Sequence, residues 1–290
     1  MKAVLVAEAW GSHEAKFSHA LVGPSGRELT LELGIAGFAP YLQMLCRKCK
    51  NTTEFISAHC QHCQEHLWPN EFTLIDHWKR LRQDYQIAVT NVFNEQPPGN
   101  DLGFLFGTEP ETPMPSWKAS KKSGGSHLQA SHFHHLTRLW REIADLQPNL
   151  VVAMGNAACW ALLGQTKITS LRGTVSLSNK ALTGLEVKTL AVFHPAAVLR
   201  QFPMRVSNIA DFRKAAREAQ FPEIRRPQRW ITILDPTPQG LTDGHAWFQR
   251  PATAYAVDIE TRRGQITMVG FARSKDDALV VVFRDRKSVV

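Results

Sequence analysis

No apolar stretch in this chain of 290 residues reaches the roughly 18 residues that a bilayer-crossing helix needs, which argues against a membrane protein. The long apolar core of a secretory leader is missing as well, because Glu8 interrupts the run that begins at Ala3. The expectation is a soluble cytoplasmic protein. Cysteine is scarce: of five residues four form one group, so no disulfide framework spans the chain. No internal repeat is present, which excludes a solenoid. With 43% hydrophobic and 21% charged residues, the composition is ordinary and globular, which excludes a disordered chain or a coiled rod. The length suggests one or two domains.

What is there begins with charge. There are 34 Lys+Arg against 26 Asp+Glu, a net charge of +8. That moderate balance fits a polyanion partner without requiring one. Local clusters weigh more than the sum because phosphate contacts are local. Lys118, Lys121 and Lys122 form one such cluster, and Arg225, Arg226 and Arg229 another.

The pattern along the chain alternates strands and helices. Short apolar or β-branched runs at Ala3–Ala7, Ile87–Val92, Leu150–Gly155 and Val187–Phe193 read as four buried strands. Helical spacing appears from Arg27 to about Phe38, through Leu74, Trp78 and Leu81, from Ser131 to Leu146, and from Val206 to Ala219. Asn156 is placed to cap the helix after the third strand. The stretch from Asn94 to Ser126 is rich in Pro, Gly, Ser and Lys and reads as a long exposed loop. The whole predicts an α/β domain with a mostly parallel four-stranded sheet, over residues 1–218. A Pro- and Arg-rich linker is expected over 219–230, then a second piece over 231–290 in which Tyr255–Thr261 and Gln265–Phe271 form a hairpin. This second piece reads as the truncated start of a further domain.

Cys46, Cys49, Cys60 and Cys63 make two Cys-x-x-Cys pairs, a spacing that closes four thiolates around a tetrahedral metal. The insert around them, 44–68, has little apolar material, so the metal would supply much of its folding energy. Zinc in a structural role is the first reading, and an iron–sulfur cluster competes with it. His59, His62 and His66 are near enough in sequence to substitute as ligands.

Ligands of parallel sheets bind at the carboxyl ends of the strands. Those ends carry Glu8, Asn91, Gly155 and His194. The residues around them run Ala7-Glu8-Ala9-Trp10-Gly11-Ser12-His13-Glu14, then Val22-Gly23-Pro24-Ser25-Gly26, then Thr90-Asn91-Val92 with Pro97-Pro98-Gly99-Asn100. Further on come Pro148–Ala158, Leu162-Leu163-Gly164, Leu171-Arg172-Gly173 and Phe193-His194-Pro195-Ala196-Ala197-Val198-Leu199-Arg200. In this order they resemble the uracil-DNA glycosylase superfamily, most of all its family 4 and phage polymerase-associated branches. The resemblance covers residues 1–218, with the cysteine segment as an insertion.

That resemblance implies a three-layer αβα fold and hydrolysis of the bond between a flipped base and deoxyribose. It implies that Asn91 reads the uracil edge, that His194 donates to the developing negative oxygen, and that Glu8 and Glu14 hold the attacking water. Lys118, Lys121, Lys122 and Arg200 would grip DNA phosphates, and no soluble cofactor is needed. Two positions depart from the family: Trp10 stands where it has Pro, and Leu21 stands where an aromatic stacks on the base. The rival reading is a DNA- or uracil-binding module without the chemistry.

Val257-Asp258-Ile259-Glu260-Thr261, followed by Ile266–Phe271, is similar to the first motif of proofreading 3′–5′ exonucleases of RNase H-like fold. There Asp258 and Glu260 would hold two Mg2+ or Mn2+ ions. With the later acidic motifs missing, the fragment is expected to be inactive as a nuclease. The order of the two parts resembles phage-type family A DNA polymerases. It implies DNA as partner, an attached polymerase domain, a monomeric chain, and a bacterial or phage-infected cell as its setting.

Overall fold

The computed structural model describes residues 2–56, 59–122, 125–226, 228–235, 237–262 and 264–283. The chain divides into two compact units, Met1–Ile224 and Arg225–Val290. The first unit opens on β1 (Ala3–Ala9), α1 (Ser12–Phe17) and α2 (Pro24–Ala36). A small hairpin of β2 (Gln43–Leu45) and β3 (Thr52–Glu54) precedes α3 (Glu71–Tyr85) and β4 (Ile87–Phe93). Then come β5 (Phe106–Gly107), β6 (His127–Leu128), α4 (Phe133–Leu146), β7 (Leu150–Met154) and α5 (Gly155–Leu163). The unit ends with α6 (Ile168–Leu171), β8 (Val175–Leu177), α7 (Lys180–Thr183), β9 (Lys188–Val192), α8 (Pro195–Arg200) and α9 (Met204–Glu218).

β4, β1, β7 and β9 lie side by side in that order, all parallel, and apart from the end of β1 they are almost wholly buried, as strands covered on both faces must be. On one face Leu5, Val152 and Leu190 pack with Leu29 and Leu33 of α2, Trp78 of α3 and Phe212 of α9. On the other, Val4, Val6, Val151 and Ala153 pack with Leu136, Leu139 and Ile143 of α4 and with α5. Three layers result. Each large side chain fully buried this way contributes roughly 1.5–3 kcal/mol over exposure. Among the described residues no helix is long and apolar enough to cross a membrane.

The structure corrects four expectations. The sheet has five strands: β8 joins as an antiparallel edge on β9, too short and too half-exposed to show as an apolar run. Asn156 does not cap α5; its side-chain oxygen accepts the Ile168 N–H at 2.9 Å, while Gly155 begins the helix at φ +84°. The 94–126 segment is not a wholly exposed loop, since Leu102, Leu105, Phe106 and Met114 are buried and Phe106, Trp117 and Trp160 form an aromatic cluster. These anchors lack any fixed period, so no pattern announces them. Finally, the first residues of the expected linker are held on the first unit: Lys188 Nζ donates to the carbonyls of Phe221 (2.7 Å) and Glu223 (2.9 Å) and pairs with Glu218 (3.1 Å).

The second unit has β10 (Trp230–Leu234), α10 (Pro238–Phe248), β11 (Ala256–Arg262), β12 (Gln265–Ser274) and β13 (Asp277–Val282). They form a mixed sheet in the order β10, β13, β12, β11, with β10 parallel to β13 and the rest antiparallel. Trp247 of α10 packs on Leu234, Leu279 and Phe271 from one side. The hairpin read from the sequence is β11–β12.

Candidate active site

A hollow of about 270 Å3 opens at the carboxyl ends of β1, β4 and β9, and Glu8, Glu14, Leu21, Asn91, His194 and Arg200 all line it. The volume sits near the lower limit of the roughly 300–1,000 Å3 of small-ligand clefts. Residues far apart in sequence meet here because parallel strands deliver their ends to one edge: Ala7 stands opposite Asn91 in the register of β1 and β4.

Asn91 is buried, and its side-chain carbonyl oxygen has no hydrogen-bond partner. A buried acceptor left unpaired costs roughly 1–3 kcal/mol, which a ligand donor would return. The strand end that carries Asn91 is held by Arg138 of α4. Its guanidinium donates to the Asn91 carbonyl, to the Val92 carbonyl at 3.1 Å and to Thr90 Oγ1 at 3.1 Å, and it pairs with Glu142 at 2.7 Å.

His194 follows β9 and caps α8. The Ala196 N–H donates to His194 Nδ1 at 3.1 Å, so the ring's own proton belongs on Nε2. Burial, helped by the nearby Arg200 charge, pushes the imidazole pKa down to about 4. The ring is therefore neutral at ordinary pH and presents one N–H donor. Gly155 makes room for it: a Cβ there would stand 3.0 Å from His194 Cβ, and φ +84° is left-handed backbone. From below, the Phe193 N–H donates to Asn208 Oδ1 at 3.0 Å, and Asn208 donates to Glu32 at 2.9 Å.

The two carboxylates differ. Burial raises the Glu8 pKa, and Arg200 draws it part of the way back. Glu14 is occupied with the backbone: it accepts the N–H groups of Gly11 (3.1 Å), Val22 (3.1 Å) and Gly23 (2.9 Å). It thereby ties the β1–α1 turn to the loop before α2.

Leu21 lies against the hollow with φ +56°, rare for a branched side chain. Trp78 Nε1 donates to its carbonyl at 2.9 Å, and that oxygen would meet a Cβ on Gly26 at 1.8 Å. Phe17, the nearby aromatic, packs edge-on against Phe72 and does not line the hollow. Trp10 does line it, and its buried indole N–H has no partner. The sequence marks Trp10 only as a departure, while Ser25, Pro97 and Asn100 on the same rim belong to the motifs that carry the resemblance, with no role attached to them there. Lys118, Lys121 and Lys122 are exposed and are not among the lining residues. Their loop is joined to the rim where Ser120 donates to Asp101, next to Asn100, at 3.0 Å.

Cys46, Cys49, Cys60 and Cys63 converge, with Sγ atoms within 4.8 Å of one another and two contacts of 3.6 Å. A zinc ion with Zn–S of about 2.3 Å sets a tetrahedral edge of roughly 3.8 Å, so the set fits such an ion. Each pair is followed by a left-handed residue, Lys50 at φ +60° and Gln64 at φ +59°, which turns the chain around the site. The N–H groups of Cys49 and Lys48 pull the Cys46 thiol pKa down, favouring the thiolate a metal needs. His59, His62 and His66 are exposed and outside the four-sulfur set.

In the second unit Asp258 and Glu260 are exposed on one face of β11, opposite Gly270 and Met268 of β12. Comparison with protein families matches residues 1–220 to the Uracil DNA glycosylase superfamily. Comparison with curated proteins finds no match.

Proposed function

Since the chain belongs to the uracil-DNA glycosylase superfamily, we propose that the first unit hydrolyses the N-glycosidic bond of a uracil, or a related deaminated base, flipped out of DNA. The observation that carries this reading is the convergence of Glu8, Asn91 and His194 on one hollow, with the Asn91 acceptor unpaired and His194 a neutral donor. The base enters edge first, and its ring N–H satisfies the Asn91 oxygen. As the bond to the sugar breaks, its electron pair moves onto the base. The His194 Nε2 proton stabilises the oxygen where that charge gathers. The sugar becomes cationic beside Glu8, which holds the attacking water and takes its proton. Glu14 acts as a positioning residue through its three backbone contacts. Arg200, at the mouth, and the lysines of the 118–122 loop meet phosphates. Zinc on the four cysteines holds the insertion in shape.

For the second unit we extend the proposal to the start of a 3′–5′ exonuclease domain within a polymerase. The pairing of Asp258 and Glu260 on one sheet face supports that extension.

A second reading rests on Leu21, which offers apolar contact without a π face: the hollow binds the base and does not cut. Release of uracil from labelled single- and double-stranded oligonucleotides, read as alkali-sensitive breaks, separates the two. The expected result is cleavage by the wild type, with losses of about 10²–10³-fold in rate for His194→Ala. Asn91→Ala, also expected to lose activity, should lose discrimination between uracil and thymine as well. Binding of uracil-containing DNA without any break favours the second reading.

A further inference from the structure

Behind the rim of the hollow three more metal-ligating atoms meet. Glu95 Oε1, from the loop after β4, lies 2.9 Å from His132 Nδ1 and 3.2 Å from His135 Nε2. The two histidines are three residues apart at the start of α4, a spacing that puts both on one side. All three atoms are buried, and beyond these two approaches none has a hydrogen-bond partner. Three potential ligand atoms thus lie within 4.8 Å of one another with nothing else to bind.

We propose that Glu95, His132 and His135 form a second metal site, taking a divalent ion of the zinc class with one coordination position left open. Two imidazoles and a carboxylate are a borderline N/O donor set suited to such an ion. Distances of about 2.0–2.2 Å from ion to ligand set edges of roughly 3.3–3.5 Å, a few tenths wider than the two measured approaches. A small outward adjustment admits the ion. His134 is not among the atoms that meet there; its Nδ1 is bonded to the Ser131 carbonyl at 2.8 Å.

The site acts on the hollow through Glu95. Its backbone carbonyl accepts the Trp10 N–H at 3.1 Å, and the loop it begins carries Pro97 and Asn100 to the rim. An ion that fixes Glu95 to α4 fixes both sides of the mouth. The inference holds whether or not the hollow cuts DNA.

The test is zinc stoichiometry of the full chain after loading with zinc and gel filtration in metal-free buffer. Two equivalents are expected in the wild type, and one in His132→Ala and in Glu95→Gln. Cobalt titration provides a second readout: one equivalent develops the intense thiolate-to-metal absorption, and the other adds only weak bands that vanish in the variants. One equivalent in the wild type overturns the proposal, and the wild-type measurement decides even where a variant fails to fold. Two equivalents retained in both variants overturn it equally.

Discussion

His194 reaches the hollow already neutral, and that fixes how rate should depend on pH. With its pKa near 4, the imidazole does not change charge across the range in which an assay is practical. An acid limb within that range therefore belongs to Glu8, whose burial lifts it above the usual carboxylate value. The carboxylate must be ionised to hold water and face a cationic sugar, so rate falls as pH drops through the Glu8 pKa. Arg200 lowers that pKa by its charge. Arg200→Gln should therefore move the acid limb of single-turnover cleavage to higher pH, beyond any loss of DNA affinity. An unmoved limb in this variant would remove Glu8 from the titrating role. Trp10 belongs at the same scale: its orphaned indole N–H is the kind of group that a bound base, and not the empty protein, satisfies.

Between α2 and α9 the elements are joined by a buried acid. Glu32 is fully buried, and burial together with neighbouring Glu28 raises its pKa to about 8, while Asn208 and Arg205 oppose the rise. An unfolded Glu releases its proton near 4.5, whereas the folded one keeps it until about 8. Between those values the folded chain binds more protons, so stability is lost as pH rises through this window and levels off above it. Glu32→Gln should erase that slope, with a melting temperature that gains on the wild type from pH 5 to 8. A difference that stays constant with pH would contradict the buried, protonated acid. This network was not legible beforehand, because Glu28 and Glu32 look like the polar side of any amphipathic helix. The four parallel strands were legible, since strands buried on both faces are unbroken apolar runs. Their ends, and so Glu8, Asn91 and His194, followed from topology. Legibility failed where a partner lies far along the chain: β8 needs β9, Asn156 answers Ile168, and Glu95 meets two histidines that no spacing rule connects to it. Gly26 appears in the sequence only as part of a motif, and it lies in the first turns of α2. Its need is a neighbour's carbonyl at 1.8 Å from any Cβ, and that neighbour is Leu21 in its left-handed pose.

The two units raise the question of where the first one ends as a folding entity. Its helices finish at Glu218, yet the segment to Glu223 is part of its structure. Lys188 of β9 has a fully buried side chain, and a buried ammonium is tolerated only with partners close by. Glu218 supplies a countercharge, the carbonyls of Phe221 and Glu223 supply two acceptors, and the Phe221 ring lies 4.0 Å from the ammonium. At the start of the interior strands β1 and β7, the Ala219 carbonyl accepts from the Lys2 N–H at 3.3 Å and from Asn149 Nδ2 at 3.0 Å. A chain stopped at Glu218 keeps the ion pair but loses both carbonyl acceptors and the Ala219 contacts, which should cost roughly 1–3 kcal/mol for each buried group left unpaired. A chain stopped at Ile224 keeps them. The expected outcome is that the longer piece unfolds cooperatively at nearly the temperature of the first transition in the full chain. The shorter piece should melt well below it, or not fold. Adding Lys188→Met to the shorter piece should recover part of the loss, because the ammonium left short of acceptors is then gone. Equal melting of the two pieces in calorimetry would mean that the strap contributes nothing and that the unit ends with α9.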